Sequence, residues 1–192
     1  MGLMRRWFTR GYDFPTRQFS YRTTSRGLSE NIALLREFIA QLPAERVHLV
    51  GYSLGGVLAL QTLRQFPTGN IGRVVCLGSP LLDCTSARNL SRSRRGKKII
   101  GQTFSEAVLQ EPLQSHDGAC EVGVIAGTIG IGLGRMVGRL EKPHDGVVTV
   151  KETELPGIND HLMLPVSHSG LLLSRRVVKQ AAFFLGHGRF DK

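Results

Sequence analysis

Apolar positions along the chain come in two spacings. Runs of strand length with little polar interruption appear at "VHLV" (Val47–Val50), "RVVCLG" (Arg73–Gly78), "EVGVIAG" (Glu121–Gly127) and "HLMLPV" (His161–Val166). Between them, apolar residues recur at helical steps. In "SENIALLREFIAQLP", Ile32, Leu35, Ile39 and Leu42 share one face, with Ser29 as the expected N-cap and Pro43 as the stop. "LGGVLALQTLRQFP" predicts a second helix, closed by Pro67 and the turn "TGN". "SGLLLSRRVVKQAAFFLG" predicts a last one, capped by Gly186, and the aromatic "RQFSY" (Arg17–Tyr21) fits a further short strand. Near-continuous apolar strands alternating with helices imply an α/β fold, a mostly parallel sheet with helices on both faces.

The 192 residues suit one domain, 1–192. The stretch from Pro80 to Cys120 is long for a simple connection, so it is expected to carry its own helices as a small cap over 80–120. Composition is that of a globular chain, 41% hydrophobic and 21% charged. No run is long and apolar enough to cross a bilayer, and arginines occupy the place where a signal peptide needs its apolar segment. Cys76, Cys84 and Cys120 make neither a disulfide framework nor a zinc-type spacing, so the expected setting is the reducing cytoplasm, without a metal.

Charge changes the picture more. The net charge is +10, and much of the excess falls in "SARNLSRSRRGKK" (Ser86–Lys98), with Arg88, Arg92, Arg94, Arg95, Lys97 and Lys98. Such a cluster could rest on an anionic surface or neutralise nucleic-acid phosphates. It contains no stacking aromatic, zinc-finger spacing or RNP-like pattern, so nucleic acid is disfavoured and a solvated loop or helix face is the simpler reading.

The chemistry is announced where the first clear strand ends. "VHLVGYSLGG" places Gly51-Tyr52-Ser53-Leu54-Gly55, a G-x-S-x-G pattern, between a strand and a helix. That context predicts a sharp turn holding Ser53 above the sheet, with Gly51 and Gly55 leaving room beside it. The N–H of Leu54, opening the helix, is placed to donate to a developing oxyanion. A serine needs a base, and the base an orienting carboxylate. Among six histidines, His48 lies within a strand, His187 past the last helix, His116 too early, His144 beside an acid candidate and His161 at a strand start. His168, after "HLMLPV" and before the last helix, is the expected base. Asp145 in "PHDGVVTV" is the first choice for the acid, and Asp83, after the strand that follows the serine, is the alternative. "GTIGIGLGRMVG" has a superficial dinucleotide look, but Gly130, Gly132 and Gly134 miss the G-x-G-x-x-G spacing. It is expected to be a loop leading to the acid, its glycines alternating with Ile131 and Leu133 as a candidate acyl-pocket lining.

"VHLVGYSLGG", "HDGVVTV" and "PVSHSGLL" together resemble, in order, the nucleophile, acid and histidine segments of the α/β-hydrolase superfamily, in its bacterial esterase/lipase-like branch. The resemblance implies hydrolysis of a carboxylic ester, or a thioester, through an acyl-enzyme on Ser53, with a small ester or lipid as substrate and no cofactor. In that family a strand ending in a His-Gly loop precedes the first helix and supplies a second oxyanion donor. Here "MGLMRRWFTRGYDF" resembles the end of that helix, so the chain is expected to be N-terminally abbreviated. Loss of one such donor costs about a hundred- to a thousandfold in rate. Two further functions compete: a non-catalytic binding protein of the same fold, and an anionic-surface or nucleic-acid binder acting through Arg88–Lys98.

Overall fold

The computed structural model describes residues 1–66, 70–118, 120–131 and 139–192. Four strands, β1 (Val47–Tyr52), β2 (Ile71–Leu77), β3 (Glu121–Gly127) and β4 (Asp160–Leu164), form one sheet in the order β1-β2-β3-β4. All three pairings are parallel. Consecutive parallel strands joined by right-handed crossovers put their connecting helices on a single face. Accordingly α3 (Leu54–Gln65) packs with α2 (Leu28–Ala40) over one side. Helices α1 (Gly2–Gly11) and α7 (Arg175–His187) cover the other.

Strand side chains divide between the faces with period two. Val74, Cys76, Val122 and Val124 join the α2/α3 core, while Val75, Leu77 and Ile125 join Met4, Phe8, Leu171 and Phe184 on the α1/α7 side. Gly123 turns its bare Cα to Phe184, and a Cβ there would lie 2.6 Å from the ring. Arg73 fastens the bottom of the sheet, donating to Glu121 at 2.6 Å and to the Leu185 carbonyl at 2.8 Å. β1 forms the edge of the sheet and is only partly buried along most of its length.

Several local expectations are corrected. "RQFSY" forms no strand: Phe19 stacks on Tyr21 and packs against Phe38 of α2, and side-chain packing takes the place of ladder pairing. The N-cap of α2 is Gly27 rather than Ser29, and the Leu28 N–H is met by the Glu106 carboxylate at 2.5 Å. Gly186 lies inside α7; the left-handed cap is Gly188, at φ 74°. At the other end of α7, the Ser174 hydroxyl accepts from the Val177 N–H. His187 is therefore the last helical residue, with its Nδ1 against the Phe183 carbonyl. The basic segment forms two short helices, α4 (Thr85–Ser91) and α5 (Arg94–Ile100). It continues into α6 (Gln102–Phe104) and a π-helical turn, Ser105–Gln110. Ala107, Val108 and Leu113 from this segment enter the α2/α3 core. Pro67, Gly132, Leu133 and Gly134 fall outside the described residues. Among those described, no helix is long and apolar enough to cross a membrane.

Candidate active site

β1 delivers its chain to a backbone turn that an ordinary residue avoids. Ser53 sits at φ 51°, ψ −123°, off the favoured regions for a side chain with a Cβ and worth about 1–3 kcal/mol of strain. The surroundings hold it there. The Ser53 N–H donates to the Leu77 carbonyl at 2.8 Å, and the Ser53 carbonyl accepts from Gly56 at 3.1 Å. A Cβ at Gly51 would run into the Gly56 backbone, and one at Gly56 into the Ser79 hydroxyl, so both positions require glycine. Gly55 is different, since the nearest atom to a Cβ there is the Tyr21 hydroxyl at 3.9 Å. Leu54 opens α3 and so has no carbonyl one turn back to receive its N–H, which among the described residues has no partner and lies beside Ser53.

The other two residues come from loops beyond β3 and β4. Asp145 is 1% exposed and its carboxylate is fully engaged. Oδ1 accepts from the Val147 and Val148 N–H groups at 2.9 and 2.8 Å, while Oδ2 lies 2.7 Å from His168 Nδ1. The His168 N–H also donates to the Asp145 carbonyl at 2.8 Å, so backbone and side chain set the pair together. The ring's other nitrogen, Nε2, stands 3.2 Å from Ser53 Oγ. An ionised carboxylate only accepts, so Nδ1 carries the proton and Nε2 is left to accept from the serine hydroxyl. The hydrogen-bonded chain Ser53–His168–Asp145 thus spans three loops at the carboxyl edge of the sheet, where open α/β sheets bind their ligands.

Asp83 lies elsewhere. It binds Arg88 at 2.7 Å and the Cys84 N–H at 2.7 Å, and His168 Nδ1 is already occupied by Asp145. The remaining histidines have structural partners or surroundings. His161 meets the Thr153 hydroxyl at 2.8 Å, His116 the Cys120 carbonyl at 2.8 Å, and His144 Nδ1 accepts from Gly146 at 3.1 Å. His48 is packed edge-on against Phe14.

Three contributors escape a motif search. Gly78 directly follows β2 and Gly127 ends β3, and their bare Cα atoms admit the loops that carry the site. A Cβ on Gly78, already at φ 54°, would lie 3.0 Å from Asp145 Oδ2; one on Gly127 would lie 2.8 Å from Asp145 Cβ. Their only signal in the sequence is a glycine closing each apolar run. Tyr52, at a variable position of the serine motif, sets its ring 4.9 Å from the His168 imidazole. Burial, then the Asp145 charge, push its phenol up to about 12, so it stays neutral beside the histidine.

Comparison with known proteins agrees with this architecture. A profile of the alpha/beta hydrolase fold matches residues 11–99. No curated protein matches the sequence. Among solved structures, the mature form of Bacillus licheniformis lipase BlEst2 is similar with a TM-score of 0.60 at 20% identity, over 85% of this chain and 75% of that one. Phospholipase PlaB from Legionella pneumophila gives 0.61 at 12% identity, over 88% of this chain and 49% of its own. The type II thioesterase BorB from the borrelidin biosynthetic cluster gives 0.50 at 15%, over 86% and 73%. At these identities the likeness is one of fold, and with the sheet order and the profile match over residues 11–99 it has one conclusion: the chain adopts an α/β-hydrolase-type fold.

Proposed function

We propose that this chain is a serine hydrolase that cleaves carboxylic esters, or thioesters by the same route, through an acyl-enzyme on Ser53. The observation that carries the reading is the unbroken relay of Ser53 Oγ, His168 and Asp145, at 3.2 and 2.7 Å, ending on a buried carboxylate. In the proposed sequence His168 Nε2 takes the Ser53 hydroxyl proton as Oγ adds to the substrate carbonyl. The carbonyl oxygen becomes an oxyanion within reach of the Leu54 N–H. Asp145 holds the imidazolium. Collapse of the tetrahedral adduct breaks the bond to the alcohol or thiol, which leaves with the proton from His168. Water then adds to the acyl-enzyme with His168 again as base, releasing the acid and restoring the Ser53 hydroxyl.

Three free cysteines support placing the protein in a reducing compartment; burial pushes the thiols of Cys76 and Cys84 up to about 12 and keeps them unreactive. The lipase, phospholipase and thioesterase likenesses make small esters, lipids and thioesters the substrate classes to test. A panel of p-nitrophenyl esters of graded acyl length provides the test. Turnover abolished by Ser53→Ala and by His168→Ala is the expected result; turnover unchanged in either variant would overturn the reading.

A further inference from the structure

A second feature stands apart from Ser53, on the solvent side of α1. Met4 and Phe8 bury one face of that helix against α7 and the sheet. Arg5, Arg6, Thr9 and Arg10 fall on the opposite face, one turn above one another. The chain then doubles back past the helix end. The Thr9 hydroxyl donates to the Phe14 carbonyl at 3.2 Å and bonds the Thr16 hydroxyl at 3.1 Å, which brings Arg17 across from the helix. The result is a cleft of about 510 Å³ lined, among the described residues, by four arginines and no acidic residue.

The charge in this cleft is unbalanced. Among the described residues none of Arg5, Arg6, Arg10 and Arg17 forms an ion pair, whereas Arg26, Arg73 and Arg88 each have a carboxylate within 2.7 Å. Arg6 and Arg10 are like charges at i,i+4, an arrangement that weakens a helix by itself, and the first turn of α1 has no acidic residue to offset it. The Thr9 and Thr16 hydroxyl protons are spent on each other and on the backbone, so the guanidiniums are the side-chain donors that remain. Planar forked donors crowded around an open cleft match the oxygens of a phosphate group, each able to make a paired contact.

We propose that the cleft between α1 and residues 16–17 is a binding site for a multiply charged phosphate group, soluble or borne on a lipid headgroup. It is separate from the Arg88–Lys98 segment and does not rest on the hydrolase reading. The test uses the full chain with two probes: inorganic pyrophosphate by calorimetry, and flotation with phosphatidylcholine vesicles with and without phosphatidic acid. Arg6→Gln/Arg10→Gln removes two exposed charges from the cleft and leaves the buried face of α1 intact. Arg92→Gln/Arg94→Gln removes the same charge elsewhere. Affinity is expected to fall at least about tenfold in the first variant and by less than about twofold in the second, with melting temperatures of the unliganded proteins preserved. Pyrophosphate binding lost with the cleft identifies a soluble phosphate compound, and binding confined to phosphatidic acid vesicles and lost with the cleft identifies a headgroup. Binding of neither probe, or equal weakening in both variants, would overturn the proposal. Ester turnover by the cleft variant reads the Ser53 site independently.

Discussion

Replacing Asp145 with asparagine is the sharpest single perturbation of the proposed relay, because it changes one proton and little shape. The amide oxygen of the Asp145→Asn variant can keep both contacts with the Val147 and Val148 N–H groups, at 2.9 and 2.8 Å in the parent, so the loop should hold. The amide nitrogen then presents N–H where Asp145 Oδ2 lies 2.7 Å from His168 Nδ1. Two donors cannot face each other, so the imidazole moves its proton to Nε2, the nitrogen 3.2 Å from Ser53 Oγ. His168 would then donate to the serine where it must accept. The loss expected for such a wrong tautomer is about four powers of ten in kcat, or about 5.4 kcal/mol at about 1.36 kcal/mol per decade. The assay is initial-rate hydrolysis of a p-nitrophenyl ester, with a thermal melt on the same preparation. A variant that melts like the parent and retains turnover within about tenfold would refute the relay as the source of catalysis.

The elbow and three other places carry independent expectations. Gly56→Ala drives a Cβ onto the Ser79 hydroxyl and should cost at least about 1–3 kcal/mol by denaturant titration. Gly186→Ala, inside α7 with nothing within 4 Å of a Cβ, should instead stabilise by up to about 1 kcal/mol; a loss there would contradict the helix boundary at Gly188. Glu106→Ala removes the carboxylate that caps the Leu28 N–H of α2 and should cost about 0.5–2 kcal/mol in the same titration. Burial first, then Arg73 and Arg46, hold the His48 imidazole below its ordinary 6.5, so the unfolded chain takes up this proton before the folded one does. Stability should therefore be full above pH 6.5 and decline as pH falls below it, less steeply in His48→Leu; His161, lowered mainly by burial, leaves part of the slope.

Much of the sheet was legible because parallel strands are apolar on both faces, and "VVCL" and "VIA" can be little else. The position of Ser53 was legible for a related reason: a glycine-flanked serine between strand and helix is a local device, and its backbone angles follow from its neighbours. Capping was not. Leu28 is satisfied by Glu106, 78 residues away, and no local pattern around Ser29 could disclose that contact. "RQFSY" misled because alternating aromatics suit a strand, yet strand formation needs an adjacent ladder, and Phe19 and Tyr21 found Phe38 instead. Gly186 misled by two residues, since the backbone of Gly188 adopts the left-handed cap. The companions of the site, Gly78, Gly127 and Tyr52, come from three strand ends, and their proximity to Asp145 and His168 is a property of the register rather than of any contiguous motif.

A fluorophosphonate reacts only where serine, base and oxyanion donor are assembled, so labelling of the purified, folded chain followed by intact-mass and peptide analysis tests the central proposal most directly. The expected result is a single adduct on Ser53 that Ser53→Ala abolishes and Asp145→Asn slows by orders of magnitude. A folded chain that takes up no label, or that is labelled equally well in Ser53→Ala, would contradict it.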